Sequence, residues 1–149
     1  MSKSLTKSII IASDHAGFLM KEKVKIFLNK SKIKSLDLGT FTEERVDYPD
    51  YAKKLALSVK KKSSFGILIC GSGIGVSIAA NRFKEIRAAV CYNQLSASLA
   101  RKHNNANLLC LGAILINFNN TKKIINTFIS TKFEGGRHTT RVKKLDKLS

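Results

Sequence analysis

The sequence predicts an α/β fold: a three-layer, Rossmann-like α/β/α sandwich with about five parallel strands and a C-terminal helical tail. Two observations carry this prediction. The apolar runs are short and continuous, as in strands that are buried on both faces. Longer segments with helical spacing of apolar residues separate these runs, so strands and helices alternate along the chain. Right-handed crossovers then place helices on both faces of a parallel sheet.

The first part of the chain supplies two strand–helix units. The first strand is the run SIIIAS around residue 10, and apolar positions with helical spacing follow it from Phe18 to Leu28. The second strand spans Ile33 to Leu38. After a polar loop that reaches Pro49, helical spacing returns from Tyr51 to Val59.

The rest of the chain repeats the alternation and ends in a tail without a strand. The predicted elements, in chain order, are a strand from Phe65 to Cys70, a helix through Ile78, Ala79 and Phe83, a strand from Ala88 to Cys91, a helix from Leu95 to Lys102, a strand from Asn107 to Leu111 and a helix from Thr121 to Thr131. The tail begins at Phe133 and contains Gly135 and Gly136. Since no linker or repeat divides the chain, we expect a single domain over residues 1–149.

The composition is that of an ordinary globular protein except for its charge. Of 149 residues, 44% are hydrophobic and 25% are charged, but 27 Lys and Arg stand against 10 Asp and Glu, a net charge of +17. Nucleic acid, an anionic membrane and anionic small molecules are all compatible partners. Most of the excess is lysine on the outer faces of predicted helices, where we expect solvent exposure; examples are Lys21, Lys23, Lys25 and Lys60 to Lys62.

The cysteines and the amino terminus indicate a cytoplasmic protein. Cys70, Cys91 and Cys110 are odd in number and show no C-x-x-C spacing, which favours a reducing compartment over a disulfide framework. No signal peptide or membrane-spanning run is evident in the sequence. Cys91 and Cys110 lie within apolar runs, so we expect them to be buried core residues.

Ligands of open parallel sheets bind beyond the carboxyl ends of the strands. This rule selects the polar and glycine residues that follow each predicted strand: Asp14 and His15, Asp47 and Tyr48, Cys70 to Gly75, and Tyr92 and Asn93. The glycines of the segment CGSGIG let backbone N–H groups approach an anion. The segment lacks the Lys-Ser/Thr of a Walker A loop and is a poor dinucleotide fingerprint.

Several candidate residues have a chemical interpretation, and for three of them, Cys70, Asp14 and His103, a structural interpretation stands beside it. A thiol at a helix amino terminus is a competent base or nucleophile, so Cys70 is a catalytic candidate, against burial as a small hydrophobe. Asp14 is either a ligand group or a helix N-cap. His103 is a surface histidine unless the fold brings it to Cys70. Arg137 and Arg141 share one face of a helical tail and suit phosphate.

With these residues in place, the chain resembles the type B ribose-5-phosphate isomerases, whose wider family includes subunits of galactose-6-phosphate isomerase. The resemblance covers nearly the whole chain and rests on the segments SDHAG (13–17), DLGT (37–40), DYP (47–49), GILICGSGIGVSIAANRFKEIRAA (66–89), RKHNNAN (101–107) and EGGRHTTR (134–141). It implies interconversion of ribose 5-phosphate and ribulose 5-phosphate in the pentose phosphate pathway, without metal or organic cofactor. It also implies a homodimer, or a tetramer, whose active sites draw on two subunits.

The resemblance assigns a role to each matching residue. Cys70 is the base that moves a proton between C2 and C1, and Ser72 with the loop amides of Gly71, Gly73, Ile74 and Gly75 stabilises the enediolate. His103, aided by Asp14, opens the furanose ring. The remaining matches bind the sugar (Asp47, Tyr48 and Asn104) or the phosphate (His15, Arg137 and Arg141). The specific partner is then a phosphorylated sugar, not nucleic acid or a membrane.

The sequence departs from the family pattern at two positions, and two alternatives stay open. Val76 stands where some relatives carry a glutamate base, which leaves Cys70 as the candidate. Ile114 stands where many relatives carry a phosphate-binding arginine. One alternative is therefore an isomerase of a six-carbon sugar 6-phosphate, such as galactose or allose 6-phosphate. The other, supported by charge alone, is a basic nucleic-acid-binding protein on the same fold.

Overall fold

The computed structural model describes residues 8–148, in which strands and helices alternate as predicted. The strands are β1 (Ile9–Ser13), β2 (Ser35–Asp37), β3 (Phe65–Cys70), β4 (Ala88–Val90) and β5 (Leu108–Gly112). The helices are α1 (Phe18–Lys30), α2 (Tyr48–Lys62), α3 (Ile74–Ala80), α4 (Gln94–Asn104), α5 (Phe118–Ser130) and α6 (Arg137–Asp146). The last of these forms the predicted helical tail.

The strands form one parallel sheet in the order β2-β1-β3-β5-β4. β1 pairs with β3 from Ile9 opposite Phe65 to Ser13 opposite Ile69. From β1 the chain continues to one edge of the sheet, whereas from β3 it continues toward the other. This reversal places a crevice beyond the carboxyl ends of β1 and β3. The predicted α/β class with five parallel strands is confirmed.

The core lies on both faces of the sheet. Ile11 packs on one face with Val24 of α1 and Phe128 of α5. Its neighbour Ile10 points to the other face and packs with Leu55 of α2. Since successive strand residues point to opposite faces, continuous burial along β1 requires apolar residues at every position. This is why uninterrupted apolar runs in the sequence identified strands.

Several predicted boundaries shift by a few residues because edge pairing and caps decide them. β2 and β4 are edge strands of three residues each, shorter than the predicted runs. α2 begins at Tyr48, earlier than the apolar spacing indicated, because Pro49 fits the first turn of a helix. α4 begins at Gln94, where Asn93 forms a capping box with Ser96.

The prediction that the lysines of the first helix are solvated is wrong for Lys21. Its side chain is fully buried, and its Nζ lies 2.6 Å from Oδ2 of Asp37 and 5.3 Å from the centroid of the Phe41 ring. Nζ of Lys25 lies 2.8 Å from the same carboxylate oxygen. Burial alone raises the pKa of Asp37, but hydrogen bonds from the two lysines and from the Gly39 N–H outweigh burial and lower it.

The three cysteines, Cys70, Cys91 and Cys110, are free and buried. Burial raises the pKa of Cys91 to about 11 and raises that of Cys110 as well. Both are therefore inert core thiols, as predicted. Among residues 8–148, no helix is long and apolar enough to cross a membrane.

Candidate active site

The carboxyl ends of β1 and β3 bring Asp14 next to the segment that begins at Cys70. The N–H of Asp14 donates to the carbonyl of Ile69 at 3.2 Å, across the two strands. Oδ1 of Asp14 accepts from the N–H of Gly17 at 3.0 Å, within the turn that precedes α1. Gly17 is the N-cap of α1 and no side chain caps this helix, so the N-cap interpretation of Asp14 is wrong. Asp14 is only 6% exposed, and its remaining surface faces a cleft. Asp14 thus orders the turn before α1 and also borders the cleft.

That cleft has a volume of about 760 Å³, within the range of small-ligand sites. Its lining is polar and mixed in charge: Asp14, His15, Arg45, Val46, Asp47, Tyr48, Pro49 and Asp50. Nδ1 of His15 accepts a hydrogen bond from the N–H of Val46 at 3.2 Å. The neutral ring therefore carries its proton on Nε2, which leaves this nitrogen as a donor.

Tyr48 connects the cleft to the glycine loop. Its ring packs against Gly75, where a Cβ would lie 2.7 Å from Tyr48 Cζ. No side chain fits between them, so Gly75 is required for this approach. The start of α2 thereby contacts the start of α3, and Asp47 and Tyr48 lie on the same edge of the sheet as Cys70.

The glycine loop wraps around the sulfur of Cys70. Gly73 adopts φ +80°, a left-handed conformation that glycine favours, and its N–H donates to Sγ at 3.1 Å. The N–H of Ile74 donates to Oγ of Ser72 at 3.2 Å. Two of the predicted anion-binding amides therefore have partners inside the loop, and one of these partners is the Cys70 sulfur. Cys70 itself is 5% exposed.

Two further residues hold the loop in place. The hydroxyl of Tyr92, which follows β4, donates to the carbonyl of Ser72 at 3.1 Å. The N–H of Ile114 donates to the carbonyl of Gly71 at 3.0 Å, and the Ile114 Cδ1 lies 3.2 Å from where a Gly71 Cβ would be. Ile114 is 79% exposed, so an apolar side chain borders the loop on its solvent side.

The other predicted residues lie at the amino ends of the strands, opposite the carboxyl ends that hold Cys70. His103 and Asn104 end α4, directly before β5, whose first residue Leu108 pairs with the starts of β3 and β4. Cys70 pairs with Gly112, the last residue of β5. A strand of five residues, about 13 Å, separates these ends. Within one chain the fold therefore does not bring His103 to Cys70.

Arg137 and Arg141 lie with His103 and not with Cys70. They occupy the first turns of α6, one turn apart and exposed, as predicted for a helical tail. α6 packs against α4 through His138, whose ring stacks on that of His103 with centroids 4.4 Å apart. The predicted site residues thus form two groups, one at the carboxyl ends of the strands and one at their amino ends.

The structure places three residues, which sequence reasoning did not select, beside predicted site residues. His138 and Glu134 adjoin His103: Nε2 of His138 lies 3.8 Å from Oε2 of Glu134. Arg45 lines the cleft beside His15. The sequence indicated a place for Glu134 and His138, because both lie in the segment EGGRHTTR on which the family resemblance rests. Only the packing of α6 on α4 shows their partner, however.

The matching family model covers residues 9–145, and its description is ribose/galactose isomerase. The chain belongs to the ribose/galactose isomerase family. Ribose-5-phosphate isomerase B of Escherichia coli is 41% identical over 140 residues, which make up 93% of this chain and 94% of that protein. The predicted family is therefore confirmed.

Solved structures of family members have the same fold. A ribose 5-phosphate isomerase from Thermotoga maritima is 52% identical, with a TM-score of 0.93 over 95% of this chain and 99% of that one. Ribose-5-phosphate isomerase B from Mycoplasma genitalium, solved with bound ribulose 5-phosphate, is 41% identical, with a TM-score of 0.90 over 94% of each chain. The sheet and its two clusters of polar residues are thus built on an isomerase fold.

Proposed function

We propose that this chain is an aldose–ketose isomerase that interconverts D-ribose 5-phosphate and D-ribulose 5-phosphate. The observation that carries the proposal is the contact between Gly73 and Cys70, a thiol held under a glycine loop beside a polar cleft. Membership of a family with ribose-5-phosphate isomerases supports the same reaction. The interconversion belongs to the non-oxidative pentose phosphate pathway, and the free cysteines support a reducing, cytoplasmic setting.

The chemistry requires a base and a stabilised oxyanion. In the proposed step the thiolate of Cys70 removes the proton from C2 of the open-chain aldose, and the C1 carbonyl becomes part of an enediolate. Return of the proton to C1 and transfer of the O2 proton to O1 give the ketose. Ser72 and amides of the loop donate to the enediolate oxygens, where such donors are worth about 2.7–4 kcal/mol each in acyl transfer. Val76, fully buried, offers no alternative base.

Ring opening and phosphate binding require the second group of residues. We propose that Cys70 of one subunit faces His103 of another, so that the enzyme is a homodimer with two shared sites. The separation of these residues to opposite ends of the strands supports this arrangement. His103 and Asp14 then move the protons of ring opening, and Asp47, Tyr48 and Asn104 bind sugar hydroxyls.

The phosphate is placed between one subunit's cleft and the other's tail. His15 presents Nε2–H as a donor, and Arg137 and Arg141 supply exposed guanidinium groups of the second subunit. A dianion between two arginines and a histidine donor needs no metal for charge balance. The net charge of +17 favours capture of such a substrate by long-range attraction.

The test is an isomerase assay in the presence of a chelator. The proposal predicts that the purified chain converts ribose 5-phosphate to ribulose 5-phosphate, with kcat/KM higher than for allose 6-phosphate or galactose 6-phosphate. Higher kcat/KM on a six-carbon substrate would assign the chain to that reaction instead, an outcome for which Ile114 at the loop is the motivating residue. Absence of turnover on every sugar phosphate would overturn the proposal.

A further inference from the structure

Three side chains with metal-binding atoms meet where α4 ends and α6 begins. His103, Glu134 and His138 each offer one ligand atom, and these atoms all lie within 4.8 Å of one another. Backbone bonds fix the arrangement, because the N–H of Glu134 donates to the carbonyl of Lys102 at 3.1 Å. We call these three residues the two-histidine cluster.

The interior of the cluster contains a ring nitrogen without a partner. Nε2 of His138 is buried and has no hydrogen-bond partner among residues 8–148, and the side chain is only 7% exposed. A buried polar atom without a partner is costly, so such atoms are rare in folded proteins. A ligand that accepts the nitrogen lone pair would remove this cost.

The surroundings of the cluster are positively charged, because Arg137 and Arg141 stand on α6 beside His138. The same arginines repel a cation, so the carboxylate of Glu134 has to offset them.

The donor set selects the class of metal. Two imidazoles and one carboxylate suit zinc and neighbouring divalent transition metals, whereas calcium and magnesium prefer oxygen ligands alone. Tetrahedral coordination at zinc distances places ligand atoms about 3.4 Å apart. The carboxylate is half exposed and free to close the gap of 3.8 Å to His138.

We propose that His103, Glu134 and His138 form a binding site for a divalent transition-metal ion of the zinc class, and that its occupation inhibits the enzyme. The rings of His103 and His138 are stacked at 15° from parallel, whereas a ring nitrogen binds metal in the plane of its ring. Binding therefore opens the stack and takes the His103 nitrogen away from the sugar. The inhibitory consequence rests on the proposed function; the binding site does not.

Direct binding tests the site without reference to activity. Zn²⁺ is titrated in competition with a chromophoric chelator into the intact chain, Glu134→Gln, His138→Gln and Glu44→Gln. Glu44 is an exposed carboxylate outside the cluster and serves as the matched control. We expect one Zn²⁺ per chain in wild type and Glu44→Gln, and an affinity at least about tenfold lower in Glu134→Gln and His138→Gln. Equal affinity in wild type and Glu134→Gln would overturn the site.

Co²⁺ distinguishes the cluster from a cysteine site. Cobalt bound by imidazole and carboxylate gives weak visible bands, whereas a thiolate ligand such as Cys70 adds an intense near-ultraviolet band. The proposal requires visible bands that are lost in Glu134→Gln, without the thiolate band. A thiolate band of one-to-one stoichiometry that persists in Glu134→Gln would contradict it.

Inhibition of turnover by Zn²⁺ tests whether occupation of the two-histidine cluster inhibits the enzyme. Glu134 has no part in the proposed turnover, so Glu134→Gln should keep the basal rate and need at least about tenfold more Zn²⁺ for half-inhibition. A chelator should restore activity in wild type. Equal inhibition of wild type and Glu134→Gln would overturn the inhibitory role. If wild type turns over no sugar phosphate, the proposed function fails, and the titrations still decide the metal site.

Discussion

The ring of Tyr48 lies so close to Gly75 that a Cβ on residue 75 would sit 2.7 Å from Tyr48 Cζ. This contact joins the first residue of α2 to the loop that surrounds Cys70. Tyr48 therefore lies between the cleft, which it lines together with His15, and the glycine loop around Cys70.

Gly75→Ala is expected to impair catalysis more than it impairs stability. The added Cβ displaces the Tyr48 ring, which is 41% exposed and can turn aside, so the loss of folding free energy should stay within about 0.5 kcal/mol. A shift of about 1 Å at a reacting group lowers rates by about 10²-fold. Steady-state kinetics on ribose 5-phosphate, with the urea midpoint as control, measures both effects. A kcat/KM within twofold of wild type would show that the contact is dispensable.

Lys21→Met is expected to destabilise the fold strongly. The substitution removes a buried cation from Asp37 and leaves that carboxylate with Lys25 and the Gly39 N–H. Loss of one hydrogen bond to a charged group costs about 1.5–3 kcal/mol. Urea unfolding measures the loss, and Lys23→Met, at an exposed position of the same helix, is the matched control with an expected change within about 0.5 kcal/mol. Similar losses in both variants would remove the special role of Lys21.

The lowered pKa of Asp37 predicts how the stability of the fold depends on pH. The pKa of Asp37 in the folded protein is below the ordinary value of 3.8, so its contribution to stability is present above pH 3.8 and is lost as pH falls through the folded value. The difference in unfolding free energy between wild type and Asp37→Asn should be constant near neutrality and shrink below pH 3.8. Urea unfolding over this range measures it, and a difference that stays constant in acid would contradict the ion pair.

Ile114→Arg is expected to strengthen phosphate binding. A guanidinium group at this exposed position beside Gly71 adds one charge-assisted contact, worth about 1.5–3 kcal/mol or roughly tenfold to a hundredfold in KM. Leu115→Arg, at the neighbouring exposed residue, adds the same charge at another place and is the control. An equal fall in KM for both variants would assign the effect to net charge instead of position.

Mixing two inactive variants tests the shared site. Cys70→Ala and His103→Ala each remove one half of every site, but a mixed dimer contains one intact site. Co-refolding equal amounts should restore about one quarter of wild-type activity, since half of the dimers are mixed and each has one of two sites intact. Mixtures that stay inactive while dimers form would contradict a site that draws on two subunits.

The sequence was sufficient for the sheet because its signal is local. The residues of β1 and β3 are buried on both faces, so continuous apolar runs at Ile9 and Phe65 identify them without knowledge of their neighbours. The residues at the carboxyl edge follow from the same rule. Asp14, Asp47 and Cys70 come together because parallel strands end on one side.

The features that the sequence did not predict depend on contacts between residues that are distant in sequence. Lys21 shares the buried face of α1 with Val24 and Leu28, but the groups that surround its ammonium, Asp37 and Phe41, come from a distant part of the sequence. The pairing of His103 with His138 depends on how α6 packs on α4. Edge strands such as β2 are also short for a non-local reason, because only one neighbour pairs with them.

The central claim is that Cys70 carries the proton between C2 and C1, and turnover of Cys70→Ala tests it most directly. Loss of a general base lowers kcat by about 10²–10⁴-fold, and the variant should retain the urea midpoint of wild type. Cys91→Ala, which removes a buried thiol outside the site, should keep kcat near wild type. A Cys70→Ala variant that isomerises ribose 5-phosphate at a rate near wild type would contradict the account.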